Sequence, residues 1–181
     1  MNSLSSLAFS SLFTALAAAA LAPAAHAQPT RATTTKTLGV DGVVVLPTGD
    51  YASAVDLAFG ALARVEVPVG SFTVTGRGGA IFNLFEGDSS GSLTFLPFYA
   101  GVKVPLAQTG IYFAAEAGVT IAYASVDTDV GSGSETETKL GATIGAGLRL
   151  GSIDVRGGLF MPDVQDLVGL MGSAGFDFAS F

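Results

Sequence analysis

The chain has 181 residues, enough for one domain, with a formal net charge of −7 and no cysteine. Such acidity argues against nucleic-acid binding, which needs a basic patch, and the lack of cysteine excludes disulfides and thiolate metal sites. Charged residues are only 13% of the chain and mean hydropathy is +0.56, yet after the N-terminus no apolar run reaches the ~18 residues of a membrane-spanning helix.

Residues Leu7 to Ala22 are mostly apolar and Ala-rich, and Pro23-Ala24-Ala25-His26-Ala27-Gln28 follows. Ala25-His26-Ala27 has the form of an A-x-A cleavage site, which predicts a signal peptide over 1–27 and a mature start at Gln28. The leading Met1-Asn2-Ser3 carries no Lys or Arg, so an uncleaved anchor is the alternative. Residues 28–36 are polar and Thr-rich, a flexible lead-in.

From Thr37 onward eight segments rich in Val, Ile, Phe, Thr and Tyr are separated by turn residues. The predicted strands are 37–46, 57–67, 71–84, 93–104, 110–125, 140–150, 152–161 and 167–180. Their connections alternate in kind. Pro68-Val69-Gly70, Pro105 to Thr109 and Gly151 are short; Pro47 to Asp56, Glu86 to Ser92, Asp127 to Lys139 and Pro162 to Asp166 are mostly longer and polar. In an up-and-down meander alternate connections lie at opposite ends. The pattern predicts an all-β fold over 37–181, an eight-stranded antiparallel up-and-down transmembrane β-barrel. Short turns and both mature termini then face the periplasm, and the longer loops face the cell exterior.

Strand faces repeat every two residues, so each face can be read separately. In the second strand Leu57, Phe59, Ala61, Ala63, Val65 and Val67 oppose Arg64 and Glu66. In the fifth, Ile111, Phe113, Ala115, Ala117, Val119 and Ile121 oppose Tyr112, Glu116 and Thr120. The charges in the strand bodies are Asp41, Arg64, Glu66, Arg77, Lys103, Glu116, Arg149, Asp154, Arg156 and Asp177. All ten fit the less apolar face, and five acids cancel five bases. A lipid-facing wall demands this, because Arg or Lys at the bilayer midplane costs about 2–4 kcal/mol. An eight-stranded interior is just wide enough to be filled by side chains, so these charges are expected to pair and plug the lumen.

Frequent glycine, including Gly141, Gly147 and Gly175, supplies kinks and room for large inner side chains. Phe72, Phe85, Phe95, Phe98, Tyr112, Tyr123, Phe176 and Phe178 fall near strand ends and suit interfacial girdles.

Val43-Val44-Val45-Leu46-Pro47-Thr48-Gly49-Asp50-Tyr51, Phe98-Tyr99-Ala100-Gly101-Val102-Lys103 and the terminal Phe176-Asp177-Phe178-Ala179-Ser180-Phe181 resemble the small outer-membrane barrel families. These are the OmpA-type transmembrane domain and the OmpX- and OmpW-like porin-like proteins, and the likeness covers residues 37–181. The resemblance implies that Phe181 is an assembly signal read by the outer-membrane assembly machinery, and that the folded barrel resists unfolding in detergent. Phe176 and Phe178 are out of phase with Phe181; a bulge or a one-residue slip in the last strand would reconcile them.

The mature chain has no His and no Cys, which removes the usual general base and thiol nucleophile. The reading is a non-enzyme without cofactor or bound metal. Asp127 with Asp129, and Glu135 with Glu137, are paired carboxylates, but in a Gly/Ser-rich segment they read as solvated loop charge. Gly49-Asp50 and Gly87-Asp88 are turn chemistry rather than phosphate loops. The acids outside the strands, Asp50, Asp56, Glu86, Asp88, Asp127, Asp129, Glu135, Glu137, Asp163 and Asp166, all fall in the outer loops. With Arg31, Lys36 and Lys139 as the only bases outside the strands, the net charge sits on that rim. A polar surface is its simplest use, and weak divalent-cation bridging to lipopolysaccharide phosphates is another.

The sequence therefore points to a monomeric outer-membrane barrel, a structural or surface-interaction scaffold in contact with outer-membrane lipid and lipopolysaccharide. Two alternatives stay open: a small porin-like channel for ions or small solutes, and a soluble barrel that binds a hydrophobic ligand.

Overall fold

Alternation of apolar and polar residues commits each segment to a strand with two unlike faces. In the computed structural model, residues 35–85, 91–106, 109–128 and 131–181 are described. The predicted signal peptide and residues 28–34 of the lead-in lie outside them. The strands are β1 (Thr37–Thr48), β2 (Val55–Val69), β3 (Phe72–Phe85), β4 (Gly91–Pro105), β5 (Ile111–Thr128), β6 (Gly131–Leu150), β7 (Ile153–Asp163) and β8 (Leu167–Ser180). Each pairs antiparallel with its sequence neighbours, and β1 pairs with β8, giving a closed up-and-down barrel.

Two of the short turns are two-residue hairpins, Gly70-Ser71 and Gly151-Ser152, between the pairs Val69↔Phe72 and Leu150↔Ile153. Gly70 and Gly151 have φ of 61° and 64°. Tight hairpins need a positive φ to match strand twist, and glycine adopts it without a Cβ clash.

At the opposite end the predicted loops are shorter than their polar composition suggests. The segment 127–139 is mostly strand: β5 and β6 pair continuously from Thr128↔Gly131 down to Thr120↔Lys139 and beyond. Residues 133–138, Gly-Ser-Glu-Thr-Glu-Thr, are exposed on both faces, so no apolar face marks the strand. Glu135 and Glu137 are accordingly strand residues opposite Ala124 and Ala122. Pro162 and Asp163 belong to β7, and Gly49–Ser53 forms a 3-10 helix between β1 and β2. Glu86, Asp88 and Asp129 lie outside the described residues.

The β1–β8 seam contains a bulge. Gly39 pairs with Asp177 but Leu38 pairs with Ala179, which leaves Phe178 as the extra residue. One inserted residue changes the phase of everything after it. Phe176, Phe178 and Phe181 are all exposed as a result.

The faces divide by polarity. Val44, Phe59, Phe82, Phe98, Phe113, Ile144, Val155 and Leu170, one from each strand, are exposed on the outside. The inside is layered. Toward the turn end it holds the ten strand charges. Toward the loop end it holds a packed apolar layer of Val43, Val45, Tyr51, Val55, Ala58, Leu62, Ile81, Phe95, Tyr99, Phe160 and Met171. Phe95 and Tyr112 are therefore lumen residues, both 2% exposed, and Phe85 packs against the inner layer. None of the three joins an outer aromatic girdle. An aromatic residue near a strand end suits either face, so position along the strand alone misassigns them.

Inward glycines make space for the large inner side chains. A Cβ at Gly147 would land on the ring of Tyr112, with the Val155 carbonyl oxygen 2.7 Å away. A Cβ at the outward Gly157 would meet nothing within 4 Å. Gly147→Ala should therefore lose about 1–3 kcal/mol through overpacking, while Gly157→Ala stays within about 0.5 kcal/mol. Urea unfolding of the two refolded variants checks the contrast; equal effects would rule out the packing argument.

Candidate functional site

Every strand contributes at least one side chain to the charged layer: Asp41 from β1, Arg64 and Glu66 from β2, Arg77 from β3, Lys103 from β4, Glu116 from β5, Arg149 from β6, Asp154 and Arg156 from β7, and Asp177 from β8. All ten lie within one connected set of ion pairs. Eight of them are buried; Arg149 and Asp177, nearest the turn end, keep 19% and 10% side-chain exposure.

Arg64 and Arg77 stand directly opposite each other on β2 and β3. Like charges in that position repel. Asp41 relieves the clash by accepting from both, from Arg64 Nε at 3.0 Å and from Arg77 Nη2 at 2.9 Å. On the far wall Glu116 accepts from Arg156 Nη1 at 2.8 Å, Thr75 Oγ1 at 2.8 Å and Thr143 Oγ1 at 2.9 Å. Arg77 Nη1 also lies 3.6 Å from Glu116.

A second cluster fills the space toward the turns. Glu66 accepts from Arg64 Nη1 at 2.7 Å and lies 2.7 Å from Arg149 Nη2. Lys103 Nζ bridges Glu66 at 2.5 Å and Asp154 at 2.9 Å, and sits 4.0 Å from the ring centre of Tyr112. Tyr112 donates its hydroxyl to Asp154 at 2.5 Å. Asp177 closes the set with Arg64 at 3.0 Å and Arg149 at 3.1 Å. Each acid thus meets at least two bases. That density is what a buried charge needs, since one left alone costs several kcal/mol.

The apolar layer above begins with four aromatic rings in sequence. Ring centres lie 6.0 Å apart for Tyr51–Phe95, 6.5 Å for Phe95–Phe160 and 6.4 Å for Phe160–Tyr99. The rings are tilted, as aromatic quadrupoles prefer. Their hydroxyls are satisfied: Tyr51 donates to Asn83, and Tyr99 pairs with Thr120 at 2.6 Å. Tyr51 reaches this layer from the 3-10 helix, which folds it over the barrel mouth. Sequence reasoning missed this layer. The available signal was that Val43, Val45, Leu62, Ile81 and Phe160 are apolar on the same parity as the charges.

The acids predicted for the outer loops, of which Asp56, Glu135, Glu137 and Asp163 lie in strands, are not uniformly solvated. Asp163 is buried, accepts from the Gln165 backbone N–H at 3.1 Å and lies 3.7 Å from Lys139. Lys139 also meets Glu137 at 3.1 Å. Asp56, Glu135, Glu137 and Asp166 are exposed. Among the described residues no group of three or more His, Cys, Asp or Glu has the spacing to hold a metal ion. Phe181 pairs backbone to backbone with Lys36, with both N–O distances 3.0 Å.

No protein-family model matches the sequence, and no curated protein does. Solved structures match in fold. The attachment invasion locus protein Ail of Yersinia pestis is 13% identical with a TM-score of 0.63, over 82% of this chain and 99% of Ail. Ail in complex with the heparin analogue sucrose octasulfate matches at a TM-score of 0.61 and 12% identity, over 81% of this chain and 98% of that one. Neisserial surface protein A is 14% identical with a TM-score of 0.52, over 79% of this chain and 95% of that one.

The Asp41 bridge gives a double-mutant test. Asp41→Ala should cost about 3–5 kcal/mol, because it leaves two buried guanidinium groups face to face. Adding Arg77→Met removes the repulsion, and Arg156 still neutralises Glu116. The double variant should therefore recover part of the loss. A double variant less stable than Asp41→Ala alone in urea unfolding would contradict the bridging role.

Proposed function

We propose that this protein is an outer-membrane β-barrel, a monomeric structural or surface-interaction scaffold whose lumen is closed by charge pairing and aromatic packing. The inverted polarity of the wall carries the reading. Apolar side chains of all eight strands are exposed on the outside, while ten charges are gathered inside. A water-soluble barrel has the opposite polarity. Monomeric soluble proteins rarely expose apolar patches beyond a few hundred Å2. Strands of 11 to 20 residues also meet or exceed the ~9–11 needed to cross a membrane. Closure leaves no free sheet edge around the barrel wall, which favours a monomer.

In this reading the two-residue turns face the periplasm and the longer hairpins face the exterior, in contact with lipopolysaccharide. Display there is in keeping with the names of the fold neighbours, an attachment protein and a surface protein. A polyanion of the kind bound by Ail is not carried over, because Glu135, Glu137, Asp163 and Asp166 make this mouth acidic. The channel reading loses ground to the apolar layer, where Phe95 and Phe160 are packed to 2% and 1% exposure.

Cell fractionation tests the placement: the protein should stay in the outer-membrane fraction through a carbonate wash and migrate differently on gels before and after boiling. Release by carbonate without detergent would sink it. In planar bilayers the native barrel should give no stable conductance steps; steady openings of the unaltered protein would favour the channel instead.

A further inference from the structure

A cavity of about 270 Å3 lies at the loop-end mouth, above the aromatic layer. Its floor is Leu93, Phe95, Ala122 and Leu167, with Thr120, whose hydroxyl is taken by Tyr99. One wall is the inner face of the β5–β6 hairpin, where Glu135 and Glu137 stand opposite Ala124 and Ala122. Two small methyl groups beside two long acids leave open volume next to the carboxylates. The other wall is the end of β7 and the turn after it, with Asp163 and Asp166.

We propose that this cleft binds a small amphipathic cation, with one apolar body and one ammonium or guanidinium group. Three observations carry this. The floor is apolar, so it suits a ring or short alkyl body rather than a hydrated ion. The volume is just below the ~300–1,000 Å3 of ordinary small-molecule pockets, so the body must be small. The lining charges are four carboxylates against one ammonium, Lys139, which is already engaged by Glu137 and Asp163. Glu135 and Asp166 have no ion-pair partner among the described residues, so they are free to meet an incoming cation. An anion or a lipid phosphate is repelled. A bare divalent cation is disfavoured because the described acids do not converge to a common ligand distance.

The cleft lies beyond the charged lumen, so the inference does not depend on whether the barrel conducts. The test uses the refolded full barrel in nonionic micelles, followed by amide NMR, with phenethylammonium as the probe. Phenethyl alcohol and phenylpropionate are its neutral and anionic counterparts. Saturable shifts are expected at Ala122, Ala124, Glu135 and Leu167 with the ammonium. The alcohol should bind at least about tenfold more weakly, near 1.4 kcal/mol, and the carboxylate should give no saturation. Glu135→Gln with Glu137→Gln should weaken the ammonium by a similar factor. Ala122→Phe should abolish binding while the unboiled barrel keeps its gel mobility, and Ala124→Phe serves if that variant does not fold. Equal binding of ammonium and alcohol, unchanged affinity in the Gln variant, or no saturation with the native barrel would each overturn the proposal.

Discussion

Two arginines face each other across β2 and β3, and Asp41 between them makes that arrangement tolerable. Much of the charged layer extends from this contact. Arg64 also reaches Glu66 and Asp177, and Arg77 reaches Glu116. Those acids in turn hold Lys103, Arg149 and Arg156. In a lumen this narrow, water cannot solvate each charge separately, so the side chains must solvate one another. With each strand contributing to the set, the network ties the barrel together across its interior as well as around its wall.

The two inner layers solve different problems. The charged layer balances polar groups that the apolar outer wall excludes. The aromatic layer fills volume by contact, with Phe160, Ile81 and Val45 almost wholly buried. It also caps the charges from the loop end, which lowers the local dielectric and strengthens the pairs beneath. Tyr99 links the two demands: its ring joins the aromatic row and its hydroxyl meets Thr120, over a glycine, Gly141, whose missing side chain makes the room.

The strand pattern was legible because period-two alternation is strong wherever an apolar face backs onto a polar one. It failed at 133–138, where both faces of β6 are exposed and no contrast exists to read. Parity puts each of the ten strand charges on its strand's less apolar face, and the same ten side chains form the ion-pair set. Their partners were not. Strand tilt and stagger decide that Lys103 of β4 meets Asp154 of β7, and no spacing along the chain encodes it. Phe95 and Tyr112 suit an outer girdle by their place near strand ends, but Tyr112 shares the parity of Glu116, and that parity is the signal that holds; for Phe95, closure of the barrel fixes the face. The phase conflict between Phe178 and Phe181 was visible as an inconsistency, and a single bulged residue resolves it.

The seam between the first and last strands has a kinetic side. Arg64 on β2 neighbours Asp41 on β1 early in the chain, but the last of its acids, Asp177, arrives only with β8. Arg149 likewise waits for Asp177. A sheet lacking β8 would therefore carry unmatched charge on the surface that becomes the lumen. Closing the barrel and balancing its interior are thereby one event, in which β8 completes the electrostatics that β1 and β2 begin.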